Sequence, residues 1–244
     1  MPRTATTLAA TLAMGGLFAL PAGAGADTSG GTGAPDPSAQ TGATAPTASP
    51  AAGGSLKAGR GALLGRWQRV AGTVEGAGSG HDLLLQRSDG RSGWVTVARA
   101  STGARGGFAV RWRPNRIGRF TLRAVPAGST AAAYATSALP TTPTTVYSAA
   151  IATQYGRGSY GSRTACGTTL RPGTIGVAHR TLPCGTLVEF YYRGATIKAP
   201  VIDRGPSANG ATWDLTDAAA RVLRFNGLSY VGAMRVGRVQ LARR

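Results

Sequence analysis

Short alternating segments broken by glycine are the feature that most constrains this chain. In the segment GGFAVRWRPNRIGRFTLRAV, the apolar residues Phe108, Val110 and Trp112 alternate with small or basic residues, and the same period returns at Phe120 and Leu122. A period of two places successive side chains on opposite faces of a strand. The 37 glycines among 244 residues favour turns over long helices. The sequence therefore predicts a mainly β protein.

Two stretches of low complexity divide the chain. Residues 27–55 are rich in Gly, Pro, Ser, Thr and Ala, which predicts a disordered linker, and residues 136–146 predict a second linker. Between them, residues 56–135 predict a small β-sandwich, similar by pattern to the Ig-like modules that bacteria append to secreted enzymes. Residues 147–244 predict a second compact β module, with a helix that begins after an N-cap at Thr216.

The first 26 residues have the features of an export signal. Arg3 provides positive charge, residues 8–20 form an apolar run, and small residues from Ala22 to Ala26 offer a cleavage site. The apolar run is too short to cross a bilayer as a helix. We therefore expect residues 1–26 to be a signal peptide and the mature protein to be secreted.

The two cysteines, Cys166 and Cys184, lie in the second module. An even cysteine count in an exported chain favours a disulfide, and two cysteines allow a single pairing. The alternative is a pair of buried free thiols. A bridge that closes a loop of this length is expected to stabilise the fold by roughly 3 kcal/mol.

Four segments of the second module occur in a recognisable order. They are ATQYGRGSYG (152–161), TACGTTL (164–170), VAHRTLPCGT (177–186), and VIDRGP (201–206) followed by WDLT. In this order they resemble the double-psi β-barrel of the rare lipoprotein A (RlpA) family, which includes lytic transglycosylases that act on peptidoglycan. The same barrel occurs in expansins, which loosen cell walls without hydrolysis. The resemblance implies a six-stranded double-psi β-barrel with short helices over residues 147–244.

The resemblance also implies roles for individual residues. The implied catalytic residues are Asp203 of the DRGP motif, His179 of AHRTLP, and Asp214 before Leu-Thr. The implied substrate-binding residues are Tyr155, Thr168 and Arg204. The chain departs from the family at Thr168, where transglycosylases of this family commonly carry Glu.

The carboxylates of the second module limit the chemistry. Glycoside hydrolysis normally needs two carboxyl groups, and the module has four, Glu189, Asp203, Asp214 and Asp217. We expect Asp217 to be a helix-start charge and Glu189 to face outward from its strand. A lytic transglycosylase can use one carboxyl, which first protonates the leaving oxygen and then assists attack by the sugar's own 6-hydroxyl.

Asp203 is the expected acid, because it follows an apolar strand where partial desolvation favours the protonated form. Arg204 opposes that effect. Each site residue also has a structural alternative. Asp203 could bond the backbone of its own turn, His179 could be a core or turn histidine, Tyr155 could be a packing residue, and Asp214 could only begin the helix.

Charge and composition restrict the partners. The net charge is +18: residues 56–138 contribute +10, residues 147–244 contribute +9, and the remaining residues contribute −1. Such a field attracts polyanions. For an exported chain we expect peptidoglycan or another anionic wall polysaccharide rather than nucleic acid, with no cofactor, no metal and no membrane contact after signal cleavage. The sequence thus predicts a monomeric, wall-associated lytic transglycosylase. The alternatives are an expansin-like wall binder without catalysis and an interaction module.

Overall fold

The computed structural model describes residues 53–75, 77–128, 140–207 and 210–241. The predicted signal peptide, the predicted linker up to residue 52, and residues 129–139 lie outside the described residues. Within the described residues, no helix has the length and apolar character needed to cross a membrane.

The regular secondary structure of the described ranges is mostly strand, with one short α-helix. The strands are β1 (Gly54–Ala58), β2 (Gly61–Leu63), β3 (Gln68–Val74), β4 (Asp82–Ser88), β5 (Val95–Ser101), β6 (Gly107–Trp112), β7 (Gly118–Pro126), β8 (Thr141–Tyr155), β9 (Val177–Ala178), β10 (Thr186–Tyr192), β11 (Ala195–Asp203), β12 (Trp213–Thr216) and β13 (Ser229–Arg238). The helix, α1, spans Asp217–Leu223.

The N-terminal module is built from two β layers over one core. The strands β1, β3 and β6 form one antiparallel sheet, and the order β5-β4-β7-β8 forms the other. Val70 and Trp112 of the first layer and Leu85 and Leu122 of the second belong to the same buried cluster. The alternation in the sequence therefore marks the inward faces correctly. The relation to Ig-like modules remains a prediction.

Strand β8 joins the two modules without a break. Its first half, including Thr145 and Val146, pairs with β7 of the N-terminal module. Its second half pairs with β12 and β13. Residues 141–146, which the sequence predicts as linker, are therefore strand. Thr and Val are β-branched and suit a strand, and Pro143 pairs with β7 before β2 joins the other side of β8 at Thr145.

The second module is a closed six-stranded barrel of mixed direction, as predicted. Its strands follow the order β12-β9-β11-β10-β13-β8, and a parallel β8–β12 pairing closes the ring. Val188, Phe190, Val201, Leu215 and Val231 are fully buried inside it.

Helix α1 covers part of this barrel. The Thr216 hydroxyl accepts a hydrogen bond from the Ala219 N–H at 3.2 Å, which confirms the predicted N-cap. The helical spacing of Ala219, Val222 and Leu223 predicts that all three line the buried face. Ala219 and Leu223 are buried as predicted, whereas Val222 is 54% exposed. Adjacent residues of a helix differ by about 100° in direction, so in this short helix Leu223 faces the barrel and Val222 faces solvent.

Candidate functional site

The two candidate aspartates lie on either side of the short strand β9. Ala178 of β9 stands opposite Asp203 of β11 on one side and opposite Asp214 of β12 on the other. Residues in register on neighbouring strands project from the same face, and two strand spacings correspond to about 10 Å between Cα atoms. The small, buried Ala178 therefore lies between the two aspartates in the sheet.

A register irregularity directs Asp203 to this face. Val201 pairs with Val177, and both are buried in the barrel core. Simple alternation would send Asp203 in the same direction as Val201. The register shifts between Val201 and Asp203, however, and brings Asp203 opposite Ala178. Bulges commonly re-aim a side chain in this way beside functional sites.

Asp214 is a partly buried carboxyl group. Burial raises its pKa above the ordinary value, a hydrogen bond from Thr153 opposes the shift, and the negative charge of Asp203 raises the pKa further. The Thr153 hydroxyl donates to Asp214 Oδ1 at 2.8 Å. This environment favours the protonated acid at Asp214, whereas the sequence pointed to Asp203 for that role.

Asp203 is oriented by backbone donors from two loops. Its Oδ1 accepts hydrogen bonds from the N–H of Ala165 at 2.9 Å and of Arg204 at 2.8 Å. Its carbonyl oxygen accepts a bond from the His179 N–H at 3.2 Å. The bond to Arg204 is the turn contact that the structural alternative expected. The bond to Ala165 is a long-range contact that also fixes the loop at residues 164–168 beside the carboxylate.

Tyr155 adds a hydroxyl group to the same region. It lies on β8 two residues beyond Thr153, so both side chains share one face. Its hydroxyl oxygen is buried and has no hydrogen-bond partner among the described residues. Burial raises the pKa of Tyr155, and the nearby charges of Asp203 and Asp214 raise it further. The phenol therefore stays protonated at neutral pH and keeps an O–H donor close to the two carboxyl groups.

His179 closes the turn that follows β9. Its Nδ1 accepts hydrogen bonds from the N–H groups of Thr181 and Leu182, both at 3.1 Å, which assigns the proton of the neutral ring to Nε2. The ring packs on Trp213 with a centroid distance of 4.4 Å. Burial lowers the pKa of His179, and the positive charges of Arg180 and Arg204 lower it further. These contacts are those expected of a histidine that stabilises a turn and packs on the core. A catalytic role of His179 stays a prediction.

A disulfide and Arg204 fasten the loops around Asp203. Cys166 and Cys184 form a disulfide, as predicted, with their Cα atoms 5.6 Å apart. The Cys166 N–H donates to the Ile202 carbonyl at 3.1 Å, which attaches the loop to β11 just before Asp203. The Arg204 guanidinium donates to the His179 carbonyl at 3.3 Å and lies 3.4 Å from Cys184 Sγ. Arg204 thus holds the loops together, and its predicted contact with substrate is not tested.

Comparison with known proteins identifies the second module. Residues 147–237 match the model of a family described as lytic transglycolase. The C-terminal module is an RlpA-like double-psi β-barrel.

Two curated relatives are each named "Probable endolytic peptidoglycan transglycosylase RlpA". The protein from Synechocystis sp. is 38% identical over 92 residues, which are 37% of this chain and 28% of the relative. The protein from Nostoc sp. is 41% identical over 81 residues, which are 32% of this chain and 22% of the relative. The chain thus spans less than a third of the length of either relative. The solved structure "Streptomyces papain inhibitor (SPI)" is 31% identical to this chain. The match covers 35% of this chain and 92% of the inhibitor chain, with a TM-score of 0.27.

Thr168 of the RlpA-like barrel lies on the loop that touches Asp203. Its N–H donates to the Thr164 hydroxyl at 3.1 Å, and its carbonyl accepts from the Thr164 N–H at 2.8 Å. The hydrogen bonds to this residue within the described chain are therefore made by its backbone. Among the described residues, no hydrogen bond is made by the Thr168 side chain, so a substitution at this position leaves these backbone bonds in place.

The other two carboxylates of the RlpA-like barrel have structural partners. Glu189, predicted to face outward, is buried and accepts a bond from Arg119 at 2.6 Å and one from the Tyr147 hydroxyl at 2.7 Å. Arg119 comes from the N-terminal module, so the outward face of β10 is covered by that module. Asp217 is buried at the start of α1, where the Tyr160 hydroxyl donates to it at 2.5 Å.

Sequence reasoning missed two members of the site. Thr153 lies within ATQYGRGSYG and Ala178 within VAHRTLPCGT, but neither has a chemical side chain that stands out, and each becomes significant only through the register of β8, β9 and β12. Thr153 is the hydrogen-bond partner of Asp214, and Ala178 separates the two carboxyl groups. An alternating strand pattern before Tyr155 could have indicated Thr153, since positions 153 and 155 share a face.

Proposed function

We propose that this chain is secreted, acts at the cell wall, and cleaves peptidoglycan glycan strands by a lytic transglycosylase reaction. The observation that carries the proposal is the pair of Asp203 and Asp214 on one face of an RlpA-like barrel, in unlike environments. Neighbouring carboxyl groups whose environments differ suit separate acid and charge-stabilising roles. The names of the two relatives support the same substrate class.

In the proposed reaction, Asp214 is the proton donor. Burial raises its pKa, which increases the share of the acid form that can protonate the glycosidic oxygen as the bond from that oxygen to C1 breaks. The 6-hydroxyl oxygen of the same sugar then bonds to C1, and its proton passes to the Asp214 carboxylate. The products are a 1,6-anhydro sugar end and a free 4-hydroxyl end, and no water is consumed.

In this scheme Asp203 stabilises the positive charge that develops at C1. The backbone donors at Ala165 and Arg204 hold one of its oxygens. Preorganised charge of this kind is a large contribution to catalysis. The unpaired Tyr155 O–H is placed to donate to a sugar oxygen near the two carboxyl groups.

Mass spectrometry of purified peptidoglycan after incubation with the full chain tests the proposal. Anhydro-muropeptides should appear with the wild type and be absent with Asp214→Asn and with Asp203→Asn. Hydrolytic products with reducing ends would instead indicate a water-consuming mechanism. Absence of any product from the folded wild type would contradict the proposed activity.

A second candidate is an expansin-like wall binder without catalysis. It is favoured by Thr168, which provides no carboxyl group on the loop beside Asp203. Thr168→Glu distinguishes the two candidates, with Thr168→Gln as its isosteric control. For a catalytic barrel the Glu variant should raise product formation above both the wild type and the Gln variant. A wild type that binds peptidoglycan and forms no product would favour the binder.

A further inference from the structure

The outer face of the sheet β1-β3-β6 carries a like-charge pair. Arg69 of β3 and Arg111 of β6 stand directly opposite one another, and both are exposed. Lys57 of β1 pairs with Ala71, two residues along β3 from Arg69, and is also exposed. Like charges directly opposite on neighbouring strands are destabilising. None of the three cations has an ion pair among the described residues.

A tryptophan completes this surface. Trp67 precedes β3 by one residue and is 58% exposed, and the Arg111 guanidinium lies 5.1 Å from the centre of its ring. The strands β1, β3 and β6 contain no Asp or Glu. The four residues Lys57, Trp67, Arg69 and Arg111 are called the cationic face below.

Some other arginines of the N-terminal module have polar partners. Arg123 donates to Gln86 at 2.9 Å and lies 4.0 Å from the centre of the Trp94 ring. Arg116 pairs with Asp89 at 3.3 Å. Arg69 and Arg111, in contrast, stand opposite one another with no carboxylate partner among the described residues, although Arg111 lies over the Trp67 ring. This difference points to an external anion as the partner of the cationic face.

We propose that the cationic face binds the peptidoglycan strand away from the point of cleavage. A carboxylate of the polymer lies between Arg69 and Arg111, and a sugar ring stacks on Trp67. Bidentate arginine–carboxylate pairs are strong charge-assisted contacts, and a bound anion also removes the repulsion between the two guanidinium groups. An exposed indole ring offers a flat apolar surface to the C–H face of a sugar. The choice of polymer rests on the proposed function.

The dimensions of the sheet suit an extended polymer. From Trp67 to Thr73 the strand covers roughly 20 Å, at about 3.3 Å per residue. The contact between the Ser55 and Thr73 hydroxyl groups, at 3.1 Å, continues the polar surface beyond the cations. A second contact on the same polymer would raise the effective concentration of the strand at the barrel.

Binding to insoluble peptidoglycan tests the inference. The probe is purified peptidoglycan stripped of phosphate-bearing polymers, and the protein is the full chain carrying Asp214→Asn so that the probe stays intact. The double variant Arg69→Gln/Arg111→Gln should bind about tenfold more weakly in co-sedimentation. Trp67→Ala should also weaken binding, and the effect of the double variant should shrink at high salt.

A matched control changes the same charge elsewhere. Arg91→Gln/Arg99→Gln alters two exposed arginines beyond the cationic face, and it should bind like the parent. Equal weakening by both double variants would show a general charge effect and overturn the inference. Binding that depends on the phosphate polymers would overturn it, as would a stronger, face-dependent affinity for a twenty-residue oligo-dT.

Cleavage is measured separately on the wild-type background. A chain that forms no anhydro product while its binding still depends on Arg69 and Arg111 would contradict the proposed function and leave this inference intact. If the wild type forms anhydro product and the Arg69→Gln/Arg111→Gln variant binds as well as its parent, the proposed function stands and this inference is contradicted.

Discussion

Two acidic regions of the barrel differ in the partners of their carboxyl groups. At the junction with the N-terminal module, Glu189 is buried and receives hydrogen bonds from Arg119 and Tyr147. At the candidate site, Asp203 and Asp214 lie on either side of Ala178, and burial raises the pKa of Asp214. The junction satisfies its carboxylate, whereas the candidate site leaves two carboxyl groups in mutual repulsion.

The difference separates a structural role from a functional one. A buried charge with a cation and a hydroxyl partner contributes to a fixed packing arrangement. Two adjacent carboxyl groups without a cation partner lower stability, and such arrangements are common where chemistry requires them. The four predictions below test this contrast.

The largest expected effect is on catalysis. Asp214→Asn removes the proton donor and should lower the rate of anhydro-muropeptide formation by about a thousandfold. Glu189→Gln, which keeps the size and an acceptor oxygen at the junction, should retain most of the rate per folded molecule. Product formation is measured by mass spectrometry, with circular dichroism to show that both variants are folded. Similar losses in the two variants would remove the distinction.

The next largest effect concerns the disulfide near the site. Cys166→Ser/Cys184→Ser should lower the free energy of unfolding by about 3 kcal/mol, because the reduced chain gains loop entropy when unfolded. The loop that carries Ala165 should also lose its fixed position against Asp203. Urea denaturation gives the first quantity, and amide hydrogen exchange at residues 164–168 gives the second. Unchanged exchange in this loop would show that the bridge does not hold it at Asp203.

At the junction the expected effect is smaller. Glu189→Ala should lower the free energy of unfolding by about 2 kcal/mol, because the Tyr147 hydroxyl loses its acceptor while Arg119 remains largely solvated. Urea denaturation measures the change. Thr196→Ala, at an exposed position of the neighbouring strand β11, serves as a control with little expected change. A stable Glu189→Ala variant would indicate that the junction does not depend on this carboxylate.

The smallest effect should have the opposite sign. A carboxyl group whose pKa is raised by folding stabilises the protein below its unfolded pKa of about 3.9 and loses that contribution as pH rises through the folded pKa. Asp214→Asn removes the charge that causes this loss. The variant should therefore gain stability relative to wild type between pH 4 and pH 7, as measured by thermal unfolding. A gain that does not depend on pH would assign the effect to packing instead.

Much of the fold was predictable because strand patterning is local. The alternation through Phe108 and Trp112 and through Phe120 and Leu122 marks the buried faces, and Thr216 caps the helix as its position suggests. The division into modules was less accurate. The Pro- and Thr-rich residues 141–146 have the composition of a linker, but β7 supplies backbone partners that make them strand.

The sequence alone determined the barrel family, the disulfide pairing, and Asp203 and Asp214 as candidate residues, because these follow from motif order and residue type. Only the tertiary structure decided how those residues differ. The Thr153 hydroxyl bonds to Asp214, whereas backbone N–H groups bond to Asp203, which a register shift brings opposite Ala178. A partner 70 residues away makes Glu189, expected at the surface, part of the junction between the modules. Register, burial and long-range pairing depend on which strands become neighbours, and that information is distributed over the whole fold rather than written in any local segment.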